Sequence, residues 1–156
     1  MGLASKIMNV LYSSNIPQGD LIIIRGLPGA GKSHIARTEF PDYILVEADD
    51  FFVDVHTKRY VFDSKFLAHA HHACQKRTRE LLSEGKKVVV ANTFSRLWEI
   101  APYLEMAKRP PVYKVVGDWT SIHNVPTHSI TNMKSRWEDY PNEIILTNWR
   151  VFYAEA

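Results

Sequence analysis

The chain has 156 residues, with 19 Lys and Arg against 17 Asp and Glu and a formal net charge of +2. Its 46% hydrophobic and 23% charged residues exclude wholesale disorder, and the near-balanced charge excludes a strongly basic nucleic-acid scaffold. A single cysteine, Cys74, excludes an intrachain disulfide framework and a cysteine-based zinc knuckle. The longest apolar run, Leu21 to Ile24, is far too short to cross a bilayer, and the N-terminus lacks the apolar stretch of a signal peptide. We therefore expect one domain over residues 1–156 in a reduced compartment, a bacterial or host cytoplasm, with no membrane partner.

Residues 1–20 read as a lead-in, punctuated by turn chemistry at Ser13-Ser14-Asn15 and Pro17-Gln18-Gly19-Asp20. Leu21–Arg25 is a continuous β-branched run and predicts a buried strand. Ser33–Phe40 predicts a helix stopped by Pro41, and Tyr43–Glu47 a second strand. Ser64 is the expected N-cap of a long helix to about Glu84, with Gly85 as the residue after its end. Leu67, Ala70, Cys74, Leu81 and Leu82 form its apolar face, with Lys65, His69, His72 and Lys76 opposite. Lys87–Ala91 predicts a third strand, Leu97–Lys108 a helix despite Pro102, and Val112–Val116 a fourth strand. Thr127 is the expected cap of a helix to about Trp137, before a fifth strand at Glu143–Thr147 and an aromatic tail of Trp149, Phe152 and Tyr153; residues 139–156 thus form the last strand and tail. Apolar strands alternating with helices predict an α/β three-layer sandwich around a parallel sheet.

Gly26-Leu27-Pro28-Gly29-Ala30-Gly31-Lys32-Ser33 satisfies G-x-x-x-x-G-K-[ST] at every fixed position, between a buried strand and a helix. Glycines allow a backbone nest whose amides converge on an anion, and the helix N-terminus adds its positive end. Lys32 is the candidate for the β- and γ-phosphates and Ser33 for Mg²⁺, with His34 included in the nucleotide-binding run. The expected ligands are ATP and Mg²⁺.

Glu47-Ala48-Asp49-Asp50 follows the second strand, at the carboxyl edge where open α/β sheets bind ligands. Asp49 is the expected catalytic base or Mg²⁺ group, and Asp50 a structural or supporting residue. Asn92 and Thr93, ending the third strand, can hydrogen-bond phosphate or metal-bound water, or merely cap the strand. His56, Lys58, Arg59 and Tyr60 either line an acceptor site or form a solvated loop. His69, His71, His72 and Cys74 do not converge at helical spacing, so zinc binding is not expected. Trp119 and Trp149 read as core or rim residues, either able to stack on adenine.

Several blocks in order carry a resemblance. Arg25 to Ser33, Ala48-Asp49-Asp50-Phe51-Phe52, Tyr60-Val61-Phe62-Asp63, Asn92-Thr93, Trp98-Glu99 and Met133 to Glu138 resemble the small P-loop kinase-like ATPases, AAA-type proteins close to polynucleotide kinase. The resemblance covers about residues 21–138 and implies an adenylate-kinase-like P-loop NTPase core, five parallel strands in the order 2-3-1-4-5, and ATP as phosphoryl donor. It also implies that Asp49 activates the acceptor hydroxyl.

The chain departs from that pattern in three places. Gly117–Pro126 replaces a longer lid and holds no Arg or Lys, leaving Arg136, Arg150 or a protein partner to supply charge. The strand-three Asp is replaced at Ala91-Asn92. Phe52 stands where a polynucleotide kinase has a basic residue, which disfavours a nucleic-acid acceptor. The expected function is γ-phosphoryl transfer from ATP to a small molecule or nucleotide hydroxyl, or slow ATP hydrolysis. The alternatives are a nucleotide-binding regulatory module, with a protein partner or a second copy, and a polynucleotide 5′-hydroxyl kinase.

Overall fold

The computed structural model describes residues 19–117 and 125–148. β1 (Leu21–Arg25) leads through a glycine-rich loop into α1 (Lys32–Glu39), and β2 (Ile44–Val46) leads into a 3₁₀ turn at Ala48–Phe52. A second 3₁₀ turn, Ser64–Phe66, runs into α2 (Leu67–Ser83). Then follow β3 (Val88–Asn92), α3 (Leu97–Leu104), β4 (Val112–Gly117), α4 (Thr127–Ser135) and β5 (Ile144–Asn148).

The strands form one sheet in the order β2-β3-β1-β4-β5, and every pair is parallel. This is the predicted order and the P-loop kinase-like α/β architecture. Leu21 stands opposite Val88 and Ile23 opposite both Val90 and Val112, so β1 is hydrogen-bonded on both edges. Strand alternation divides the core. Leu21, Ile23, Val88, Val90 and Val112 pack against Ala70, Cys74 and Leu81 of α2 and Ile100 and Tyr103 of α3. Ile22, Ile24, Val89, Ala91, Tyr113 and Val115 pack with Ile35 and Ala36 of α1 and with Phe40. β1 and β3 have no polar face, because both sheet faces are covered.

The long helix starts differently from the sequence reading. Asp63, not Ser64, accepts from the Lys65 amide, and the first turn is 3₁₀. A carboxylate there satisfies an otherwise orphaned N–H. Leu67 is 43% exposed and does not join the core. Gly85, at φ 77, ends α2 as expected, and the Lys86 amide bonds back to Leu81. α3 ends at Leu104 rather than Lys108: Pro102 removes one helical amide, and Arg109 at φ 49 turns the chain away. Thr127 is the first residue of α4 rather than its cap; Pro126 holds the cap position, with no capping side chain. The short segment before α4 lies mostly outside the described residues, as do Trp119, Trp149, Arg150 and the aromatic tail.

Candidate functional site

Parallel strands bring their carboxyl ends to one edge, and the predicted site residues of β1, β2 and β3 meet there. Gly26 leaves β1 against β4: a Cβ at this position would lie 2.6 Å from the Val115 carbonyl oxygen. Only a glycine lets the backbone pass so close. The loop then turns through Gly29 at φ 82 and Gly31 at φ 97, closed by a bond from the Ala30 amide to the Leu27 carbonyl. Ala30 is buried, whereas Leu27, Pro28 and Gly29 are half-buried. Gly31 begins α1 in the left-handed conformation, with no side-chain cap and no acidic residue in the first turn. The first amides of a helix have no intrahelical partner, so this uncapped end presents donors and the positive dipole end toward the edge.

Lys32 folds back, donating from Nζ to the Leu27 carbonyl at 3.0 Å. Burial lowers its pKa to about 8, opposed by the charges of Glu47 and Asp49. Ser33 Oγ donates to Glu47 Oε1 at 2.8 Å. His34 is exposed. Glu47 was not singled out by sequence reasoning, although it opens the acidic run. Its signal was positional: it is the first residue past β2, at the ligand-binding edge. Burial raises its pKa, and the Ser33 hydroxyl partly offsets this.

The 3₁₀ turn distributes the acidic residues. Asp50 Oδ2 accepts from the Glu47 amide at 3.0 Å, and burial raises the Asp50 pKa. Asp49 is half-buried, and its Oδ1 accepts from the Tyr60 hydroxyl at 3.0 Å. Burial, and then the Asp49 charge, raise the Tyr60 pKa. Of the loop residues His56, Lys58, Arg59 and Tyr60, the first three are exposed and Tyr60 turns inward.

Asn92 is 8% exposed and occupied within the fold. Its Oδ1 accepts from the Ala48 amide at 2.8 Å, and its Nδ2 lies 3.5 Å from Cys74 Sγ. It ties the acidic turn to β3. The Thr93 carbonyl accepts from the Gly26 amide at 3.3 Å. Arg59, on its loop, and Arg136, at the end of α4, are exposed.

Arg25, the residue before Gly26, is completely buried. It forms an ion pair with Glu143 at 2.9 Å and donates to the carbonyls of Phe94 and Glu138. Its guanidinium lies 4.2 Å from the centre of the Trp137 ring. Arg25 thus anchors the start of the loop to the segments after β3 and α4. The sequence signal was a charged residue closing an otherwise apolar buried strand.

Among the described residues no three His, Cys, Asp or Glu side chains form a ready-made metal site. The donors that do meet, the Ser33 hydroxyl and the Glu47 carboxylate, are hard oxygens. That set fits Mg²⁺, which keeps waters and takes phosphate oxygens rather than an all-protein cage. No helix among the described residues is long and apolar enough to cross a membrane.

A family profile described as an AAA domain matches residues 21–116. Human NEDD4-binding protein 2 is 30% identical over 138 residues, which is 77% of this chain but 8% of that protein's length. Among solved structures, a gluconokinase from Sinorhizobium meliloti is 16% identical, with 81% of each chain covered and a TM-score of 0.54. A provisionally named kinase from Chloroflexus aurantiacus is 17% identical, with 87% of each chain covered and a TM-score of 0.58. A chain of the Pnkp1/Rnl/Hen1 complex is 16% identical, covering 83% of this chain and 46% of that one, with a TM-score of 0.53. At these identities the structural likenesses establish the shared fold.

Proposed function

Because this chain belongs to the AAA-domain family and has a P-loop kinase-like fold, we propose that it binds ATP·Mg²⁺ and transfers the γ-phosphoryl group to a hydroxyl of a small molecule or nucleotide. The observation that carries this reading is the convergence of an uncapped glycine-rich helix start with Lys32, Ser33, Glu47 and Asp49 at one sheet edge. In this reading the loop amides and Lys32 hold the phosphates, displacing Lys32 from the Leu27 carbonyl. Ser33 and Glu47 would hold Mg²⁺, which would supply charge neutralisation for phosphoryl transfer. Asp49, oriented by Tyr60, accepts the proton of the acceptor hydroxyl as its oxygen bonds to the γ-phosphorus and the bridging P–O bond breaks.

A specific observation favours a second reading, a nucleotide-binding module with little turnover. The strand-three position carries neutral Asn92, and both ends of its amide are engaged within the fold. Basal hydrolysis on the order of one turnover per minute or less is expected, against ~1–100 s⁻¹ for kinases. Calorimetry with ATP and adenosine, with and without Mg²⁺, tests the binding. Lys32→Ala should weaken ATP by several kcal/mol and adenosine far less. Equal losses for the two ligands would reject phosphate binding at this loop.

A further inference from the structure

Exposed apolar side chains are ordinary one at a time; a contiguous set beside a reactive group is not. Phe51 and Phe62 are 44% and 52% exposed, and both pack on the buried ring of Phe52. Their ring centres lie 5.3 and 5.0 Å from that of Phe52. Tyr60 packs on the same ring at 6.2 Å and carries the hydroxyl that donates to Asp49. Val53, bridged to Tyr60 across the chain reversal, is also exposed. The four rings thus form a shelf running from solvent to the Asp49 carboxylate.

Charge narrows what this shelf can take. Asp49 lies at its inner end, with Glu47 and Asp50 bonded to each other in the same acidic turn, and residue 52, the centre of the shelf, is an apolar core residue. A phosphate ester on the acceptor would meet carboxylates there. Of the cations flanking the rings, Lys58 and Arg59 are exposed on a loop whose Asp54 carboxylate accepts from the His56 and Thr57 amides, whereas Lys32 and Arg37 of α1 act on the carboxylates of the acidic turn. Lys65 is exposed and paired with Asp63.

We propose that Phe51 and Phe62 form the acceptor subsite, and that the acceptor is an alcohol bearing a flat, uncharged ring with no phosphate group near its hydroxyl. The ring stacks on the exposed phenylalanines, and the hydroxyl is presented to Asp49. This deepens the phosphotransferase reading and rests on it. The transfer is balanced as before: the alcohol oxygen bonds to the γ-phosphorus, ADP leaves, and the proton passes to Asp49.

The test uses 2-phenylethanol as the ring alcohol, followed by ligand-observed NMR on the full chain with and without a non-hydrolysable ATP analogue. Xylitol and a 5′-hydroxyl oligonucleotide serve as contrasts. Saturable binding is expected below about 10 mM, with saturation transfer strongest at the ring protons. Phe51→Ala and Phe62→Ala should each weaken it about tenfold, whereas Phe62→Trp retains it; analogue affinity stays within about twofold throughout. Absence of saturable binding, equal binding of xylitol, or binding indifferent to both alanine variants overturns the proposal. So does oligonucleotide binding that survives the Phe variants and is lost in Lys58→Ala or Arg59→Ala. The analogue titration alone decides nucleotide binding, and the ring-alcohol titration without analogue decides the shelf, so the two readings fail separately.

Discussion

Binding of ATP should be coupled to protonation of Lys32. Without nucleotide, burial holds the Lys32 pKa at about 8, below its ordinary 10.5. At pH 8.5 about three-quarters of the protein therefore carries a neutral Lys32, against about a tenth at pH 7. Triphosphate beside the amine favours the ammonium form and returns the pKa toward or above its ordinary value. Binding at pH 8.5 should then take up about 0.7 proton per ATP, and affinity should fall about tenfold (~1.4 kcal/mol) between pH 7 and pH 9. Calorimetry at pH 8.5 in buffers of different ionisation enthalpy reads the uptake directly. Lys32→Arg provides a charge that does not titrate in this range and should abolish both effects. The stability of the free protein moves the other way. Unfolded Lys32 keeps its proton to about pH 10.5 and folded Lys32 loses it near 8, so the unfolded state binds more protons between these values. This residue's contribution to stability thus rises with pH across that window. Equal proton uptake in the parent and Lys32→Arg, or an ATP affinity flat from pH 7 to 9, would refute the argument.

Further substitutions separate the roles of neighbouring residues. Asp49→Asn should leave ATP affinity nearly unchanged and reduce phosphoryl transfer or slow hydrolysis by about 10²–10⁴, read by release of labelled phosphate; Asp50→Asn should have the smaller catalytic effect and change stability little, because the Asn Oδ1 can still accept from the Glu47 amide. Gly26→Ala should disrupt ATP binding more than folding, because the new methyl must displace the loop from the Val115 carbonyl at 2.6 Å; an alanine variant with parental ATP affinity in calorimetry contradicts this. Arg25→Met should lower stability by about 3–5 kcal/mol in urea unfolding, since it leaves Glu143 buried without its ion-pair partner, and Arg25→Met with Glu143→Gln should recover part of that loss.

The glycine-rich loop was legible because its information is contiguous. Gly26 through Ser33 adopt their turn through the conformational freedom of the glycines and the adjacent helix start, and no distant residue is needed to recognise them. The strands were legible for a related reason: β1 and β3 are apolar at nearly every position because both faces are covered, and that composition survives in the sequence alone. The strand order came from family resemblance rather than from any single segment, since hydropathy says which segments are buried but not which lie side by side.

What only the tertiary structure decided depends on residues far apart in the chain. Ser33 meets Glu47 only because β1 and β2 end at the same edge with β3 between them. The Asn92 side chain accepts from the Ala48 amide 44 residues away and so braces the acidic turn. Arg25 reaches Glu143 across 118 residues once β4 and β5 are in place. Asp63 displaces Ser64 as the cap because the first turn of the long helix tightens to 3₁₀. Side-chain type and spacing determined the chemistry each segment could offer. Packing decided which of those groups were used up inside the fold and which were left facing the edge, because burial forces each polar group to find its partner in space, wherever that partner lies in sequence.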